Sequence, residues 1–445
     1  MGSTLVSAEF TLDSGNTAWM MTSAAIVLMM TVPGLAFFYG GMVRSKSVLN
    51  MLMMNFIAVG TVGFIWVMYG YSMAFGPSTT GFGQIVSSPF TYFGLNDLPD
   101  EKSLMALSGV PALVAVGFQA TFAVITVALI SGAIADRIKF GTWVAFTVVW
   151  ATVVYFPLAH MVWGGGFLGI GGQVSKWLST PIDFAGGTVV HINAGVAGLA
   201  LVLLLGKRKG WPKEPIRPHN LPYTMLGAGL LWIGWFGFNA GSEFGADSTA
   251  GRAWINTFVA TCLAMLTWLI TEKVRDGHAT SLGAASGIVA GLVAITPAAA
   301  AVDTYGAIFI GAIAGVVCAL AVGLKFKFGY DDALDVVGVH LVGGITGTLL
   351  IGLFATTKQN GFLPDGAQEG VFYGGGFTQL ASQAVVALTA IVFSFTLTLV
   401  IGLILKAITG LRLSEDDEVN GIDLAVHGET AYETLGGTRV LTEVN

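Results

Sequence analysis

Two histidines in apolar surroundings carry the clearest chemistry in this chain. His191 lies in Asp183-Phe-Ala-Gly-Gly-Thr-Val-Val-His191-Ile-Asn-Ala-Gly-Val-Ala-Gly198, and His340 in Asp335-Val-Val-Gly-Val-His340-Leu-Val-Gly-Gly-Ile-Thr-Gly347. In both, a small residue follows at +3 (Ala194, Gly343) and a glycine at +7 (Gly198, Gly347). These positions share one helix face, and stripes of small residues let membrane helices approach closely. Asp183 is placed to cap the first of these helices, with His191 about two turns deeper. Ionisable rings inside lipid-buried helices mark a functional site. Zinc wants three or four protein ligands, and no Cys, Glu or second-turn His accompanies either ring, so no metal and no cofactor is expected. A charge in hydrocarbon is costly, so both rings are read as neutral, able to share a hydrogen bond with one nitrogen donating and the other accepting. His160, beside Trp163, suits a structural hydrogen bond; His219, His278 and His427 are expected at the surface.

Aromatic clusters come next. Phe118 and Phe122 stand one turn apart, Trp163 closes one apolar run, and Trp232, Trp235, Phe236 and Phe238 precede Ser242 in another. Each can be a belt anchoring a helix at the headgroups. Alternatively, an indole face attracts a desolvated cation by up to about 2 kcal/mol, and a nearby serine hydroxyl can accept a hydrogen bond from it.

The elements that must position these groups are membrane helices. The 445 residues are 54% hydrophobic and only 10% charged, with a mean hydropathy of +0.76, against about 25% charged in soluble domains. Glycine, at 61 residues, fits tightly packed spans, and Cys262 and Cys318 read as core thiols. The net charge of -6 implies no nucleic-acid partner. Apolar runs at 17–40, 51–75, 106–134, 141–163, 186–206, 222–241, 253–271, 281–298, 304–324, 336–356 and 378–408 predict eleven transmembrane helices in an all-α polytopic fold. Alternate breaks between them hold sixteen of the twenty Lys and Arg residues, from Arg44 and Lys46 to Arg412 and Arg439. Basic residues mark the cytoplasmic side, so the amino terminus is expected outside and the carboxyl terminus inside. The histidine segments sit in spans five and ten. That spacing predicts an inverted five-helix repeat, one copy over about 17–206 and the other over about 222–356. The eleventh helix, 378–408, completes a transmembrane domain of 17–408. It is flanked by an extracytoplasmic segment 1–16, which lacks signal-peptide features, and a cytoplasmic tail 409–445.

Longer motifs carry a resemblance. Pro33-Gly-Leu-Ala-Phe-Phe-Tyr-Gly-Gly41, Ala159-His-Met-Val-Trp-Gly-Gly165, Asp183 to Asn193, Pro218-His-Asn-Leu-Pro222, Trp235-Phe-Gly-Phe-Asn-Ala-Gly-Ser242 and Gly338-Val-His340 are similar, in order, to those of the ammonium transporter (Amt/Mep/Rh) family. The likeness runs from about Gly15 to Tyr432, and Trp163 with Ser242 favours the Amt branch. It implies a homotrimer with one pore per subunit, in a prokaryotic plasma (inner) membrane. It also implies an outer ammonium site of Phe118, Trp163 and Ser242, a gate of Phe122 and Phe238, and a pore lined by His191 and His340. Asp183 would support that site structurally and electrostatically. The stretch Gly421 to Tyr432 is similar to the family's cytoplasmic tail motif, although Asn420 and Ile422 depart from its commoner residues. The resemblance implies that the tail docks beneath the trimer, and it admits a PII-type regulatory protein there; the chain's acidic residues alone read as a solvated end.

Together these features predict a transporter that recruits ammonium or methylammonium, deprotonates it and conducts ammonia, with proton or net charge transfer. An ammonium sensor is the first rival, disfavoured by the lack of an appended signalling domain. A membrane enzyme is the second, disfavoured because neither carboxylate pair nor nucleophile accompanies the histidines.

Overall fold

The computed structural model describes residues 10–214 and 217–432. Residues 1–9 of the amino-terminal segment and 433–445 of the tail, Arg439 among them, lie outside the described residues. Among the described residues, eleven helices are long and apolar enough to span a bilayer: Ser14–Met42, Val48–Phe75, Ala112–Ile130, Phe140–Trp163, Gly187–Leu205, Leu221–Gly241, Ser248–Asp276, Ser281–Ala298, Thr304–Phe328, Val337–Phe354 and Thr378–Ile408. The third is shorter than its apolar run. Gly109 is left-handed at φ +67, Pro111 is extended at ψ 143 just before the helix, and beyond Ile130 the chain tightens into turns such as Gly132 N–H to the Leu129 carbonyl, 3.2 Å. Hydropathy alone does not register such breaks.

Spans five and ten run in opposite directions. Leu205, the end of span five, adjoins Arg208, whose guanidinium grips Asp331 at the start of span ten with contacts of 2.8 and 2.9 Å. The two cross where each is thinnest. A Cβ on Gly195 would stand 2.7 Å from Leu341 Cα, and one on Gly344 would stand 3.0 Å from Ile192 Cγ1. These glycines lie four residues past each histidine, not at +3 or +7. Gly198 instead faces Ala133 and Val336, Gly343 faces Val293 and Cys318, and Gly347 faces Ala294. Gly343 and Gly347 therefore pack the His340 span against other helices, while Gly198 and the +4 glycines join the two histidine spans to each other.

Span eleven buttresses both. Gln383 exchanges hydrogen bonds with the Ile182 backbone (2.7 and 2.8 Å) and reaches the Thr348 carbonyl (3.2 Å), while Ser394 donates to the Asn193 carbonyl (3.2 Å). Buried in an apolar bundle, such side chains are tolerated because each is satisfied.

Candidate functional site

Asp183 starts span five. Its carboxylate accepts the N–H groups of Gly186 (3.0 Å), Thr188 (3.0 Å) and Val189 (3.1 Å), donors that a helix start otherwise leaves orphaned. The same task in span ten falls to Asp332, which accepts from Val336 (3.1 Å) and Val337 (2.8 Å). Asp335, the acid nearer to His340 in the chain, instead pairs with Lys325 at 2.7 Å. Each capping aspartate stands eight residues before its histidine, a spacing visible in the chain. Each histidine also sits in a widened π turn, Gly187–Ile192 and Val337–Leu341, a feature that recurs at functional sites.

Between these spans the two rings meet. His191 Nδ1 lies 3.3 Å from His340 Nδ1, with the planes 24° apart. One nitrogen must donate and the other accept, so the two Nε2 atoms differ: one is a bare acceptor, the other carries a proton. His191 Nε2 is buried without a hydrogen-bond partner among the described residues. The space beside the pair is about 10 Å³, room for roughly one small molecule, and apart from the two histidines it is lined by apolar and aromatic side chains including Ile125, Leu231, Trp235 and Phe238. Trp235 lies against His191 with ring centroids 5.3 Å apart and donates from Nε1 to Thr296 Oγ1 at 2.7 Å. It is 2% exposed, so the headgroup-belt reading does not hold for it; its position one turn before Phe238 was the available signal.

Above the pair, Phe122 and Phe238 stack with centroids 4.0 Å apart and planes 23° apart. Beyond them opens a cavity of about 280 Å³ lined by Phe122, Trp163, Asp183, Ser242 and Glu243, among others. Trp163 donates from Nε1 to the Asp183 carbonyl (2.8 Å), and Ser242 donates to the Phe238 carbonyl (2.8 Å), which leaves the serine's lone pairs free to accept. Phe118 is set back, fully buried, with its ring 4.9 Å from Phe122 and 6.2 Å from Phe244. The structure thus brings Trp163 and Ser242 to the cavity wall and places Phe118 behind it. Both ring nitrogens of His160 lie 3.0 Å from carbonyls, those of Ala74 and Gly83, so its role is structural.

At the opposite end, the basic breaks gather into one polar cluster. Arg208 lies between Asp331 and Asp136, Arg44 is 3.7 Å from Asp136, and Arg412 pairs with Glu418 at 2.6 Å. Burial raises the Asp331 carboxyl, but the Arg208 guanidinium outweighs it and holds the group below the ordinary carboxylate range. The described tail is not a solvated end. Asp423 accepts the N–H groups of Leu49 (3.0 Å) and Asn50 (2.8 Å), and Glu418 accepts that of Lys209 (2.7 Å). His427 reaches Asn50 at 3.1 Å and His219 meets the Tyr432 hydroxyl at 2.9 Å. Two of the three histidines expected at the surface, His219 and His427, therefore serve the docked tail, while His278 is exposed.

Comparison with known proteins places this geometry among relatives. Residues 18–432 match the model of the Ammonium Transporter Family. An ammonium transporter of Mycobacterium tuberculosis is 56% identical over 440 residues, covering 95% of this chain and 91% of that protein. One from Aquifex aeolicus is 49% identical, covering 96% and 95%. The crystal structure of Candida albicans Mep2 superposes with a TM-score of 0.81 at 32% identity, covering 92% of this chain and 88% of that one.

Proposed function

This chain belongs to the ammonium transporter family of multi-pass membrane proteins, and on that premise we propose that it admits ammonium or methylammonium at the Trp163–Ser242 cavity and passes it between His191 and His340 as ammonia. The family transports; it is not one of enzymes. In this reading Trp163 holds the cation by its ring face, Ser242 accepts one of its N–H groups, and Phe118 backs the site. The Phe122–Phe238 stack is the gate that must part, and Asp183 supports the site by anchoring span five and the carbonyl that Trp163 grips.

The supporting observation is the His191–His340 pair in a space lined otherwise by apolar and aromatic residues. An intact cation there loses its hydration without a compensating charge. Ammonium can shed a proton and cross as ammonia; potassium cannot. A bare Nε2 at one end of the pair accepts an N–H of ammonia, and the protonated Nε2 at the other donates to its lone pair, so the pair offers sites for ammonia and a route for the proton. The transport domain would cover 17–408, as two inverted repeats and an added helix, with residues 1–16 outside a prokaryotic plasma membrane and 409–445 in the cytoplasm. The basic cluster on which the tail docks supports that orientation. A homotrimer, and a PII-type protein on the cytoplasmic face, belong to the same proposal.

The test is labelled methylammonium uptake by purified protein in liposomes with current recorded alongside. Uptake with inward positive current is expected. Uptake without current would overturn the charge transfer, and an absence of both would overturn transport.

A further inference from the structure

We propose that Glu243 is a further cation-recruiting residue of the outer cavity, its carboxylate adding a charge attraction that the Trp163 ring face and the Ser242 hydroxyl lack. This rests on reading the cavity as the entry for ammonium. Among the described residues, two acidic side chains line that cavity, Asp183 and Glu243, and no Lys or Arg does. The two carboxylates are used differently. That of Asp183 is taken up by three backbone N–H groups of its own helix start. That of Glu243 has no hydrogen bond or ion pair with another described residue, although Glu243 sits next to Ser242 and is half-buried. A carboxylate drawn partly out of water without a partner is costly, and a visiting cation removes that cost.

The turn that carries Glu243 is held in place. Phe244 takes a left-handed conformation at φ +64, which is unfavourable for a bulky residue unless its surroundings impose it. Its ring packs on Phe118 at 6.2 Å. Asn16 accepts the Ala246 N–H (2.9 Å) and donates to the Ser108 carbonyl (2.9 Å), tying the turn to the first span and the loop before the third. Glu243 is therefore presented by a fixed scaffold.

Two other acidic groups are near Glu243: Asp183, which lines the same cavity, and Asp247 on the same turn, whose carboxylate caps the seventh span through Thr249 and Ala250 at 2.9 Å each. Burial, with the Asp247 charge adding to it, pushes the Glu243 carboxyl up to about 7. Above that pH the side chain is ionised and attracts a cation; below it the charge and the attraction are lost. Cation affinity should therefore fall on acidification through neutrality.

Methylammonium is a suitable probe, because an alkylammonium resembling a lysine side chain, with pKa about 10.4, stays cationic throughout this range. Its uptake by the full chain in liposomes would be measured against concentration at about pH 6 and about pH 8, on either side of the Glu243 transition. For the parent protein, half-saturation should rise about two- to fivefold at the lower pH, the size of a partly exposed ion pair. Glu243→Gln should show the raised value at both pH values, while Glu243→Asp should keep the pH dependence. Identical half-saturation and pH response in Glu243→Gln and the parent would overturn the proposal. Trp163→Leu with Ser242→Ala, run in parallel, separates the two levels. If that variant shifts half-saturation and Glu243→Gln does not, only the role of Glu243 fails; if neither shifts it, the cavity is not the entry site.

Discussion

The two histidine spans begin alike and open onto unlike surroundings. Both start on an aspartate eight residues before the histidine, whose carboxylate collects the first backbone N–H groups. Asp183 then borders an open cavity walled by aromatic rings, a serine hydroxyl and an unpaired glutamate. Asp332 stands instead among Lys325, Asp335 and the Arg208–Asp331 pair, with the Arg412–Glu418 pair joining the tail to that end. The shared part is the solution to a problem of folding, starting a buried helix without orphaned donors. The difference lies in what each end presents to a solute. Aromatic faces and a free carboxylate attract a cation, whereas guanidinium groups already paired to carboxylates present a crowded polar surface with little net attraction. On the transport reading, one end selects and the other releases.

The largest asymmetry should appear when the caps are removed. Asp183→Ala leaves three buried N–H groups unmet and Asp332→Ala leaves two, at about 1–3 kcal/mol for each buried group left unsatisfied. Thermal unfolding in detergent should show the greater loss for Asp183→Ala. Equal losses would mean that the two helix starts are supported by something other than their aspartates.

A smaller asymmetry is expected at the crossing. Gly195→Ala would press a methyl onto the Leu341 backbone, 2.7 Å from its Cα, whereas Gly344→Ala meets the Ile192 side chain at 3.0 Å and the Gly187 oxygen and Ile192 nitrogen at 3.1 Å. Overpacking against backbone should cost about 1–3 kcal/mol for the first change, and the second, whose contacts are looser, should cost less. The same unfolding measurement would show it, and a reversed order would contradict the crossing geometry.

These particulars separate what the chain's sequence discloses from what it hides. Span positions, the paired histidines and the Asp183 cap follow from hydropathy, residue type and short spacing, whereas the Trp163–Ser242 neighbourhood joins two different spans and was implied only by the family resemblance. Asp332 was hidden behind Asp335, because both are acids upstream of His340 and only folding shows which one bonds to the helix start. Trp235 was ambiguous because a belt tryptophan and a buried one occupy the same kind of apolar run. The +4 glycines are obscured by widened π turns, which shift the helix phase on which the +3 and +7 stripes were drawn. The docking of the tail depends on carboxylates meeting distant N–H groups, contacts with no periodicity to read.

The smallest effect on folding is expected from the tail. Ending the chain after Leu413 removes no span, but it exposes the Leu49 and Asn50 donors and frees Arg412 from Glu418. Unfolding should shift by only about 1 kcal/mol, because truncation opens these donors to water instead of leaving them buried and unmet, while methylammonium uptake falls. Undiminished uptake would show that the docked tail is dispensable for transport.

The central claim, that His191 and His340 make deprotonation the condition of passage, is tested most directly by placing an acid in the lumen. Potassium influx and current would be measured in liposomes bearing His191→Asp or His340→Glu, with the double alanine variant alongside and folding followed by gel filtration. A carboxylate draws in water and steadies an intact cation, so the acid variants should admit potassium, and the double alanine variant should lose proton-coupled ammonium transport while remaining folded. Continued exclusion of potassium by the acid variants, together with parental ammonium current in the double alanine variant, would show that the pair only packs the two spans together.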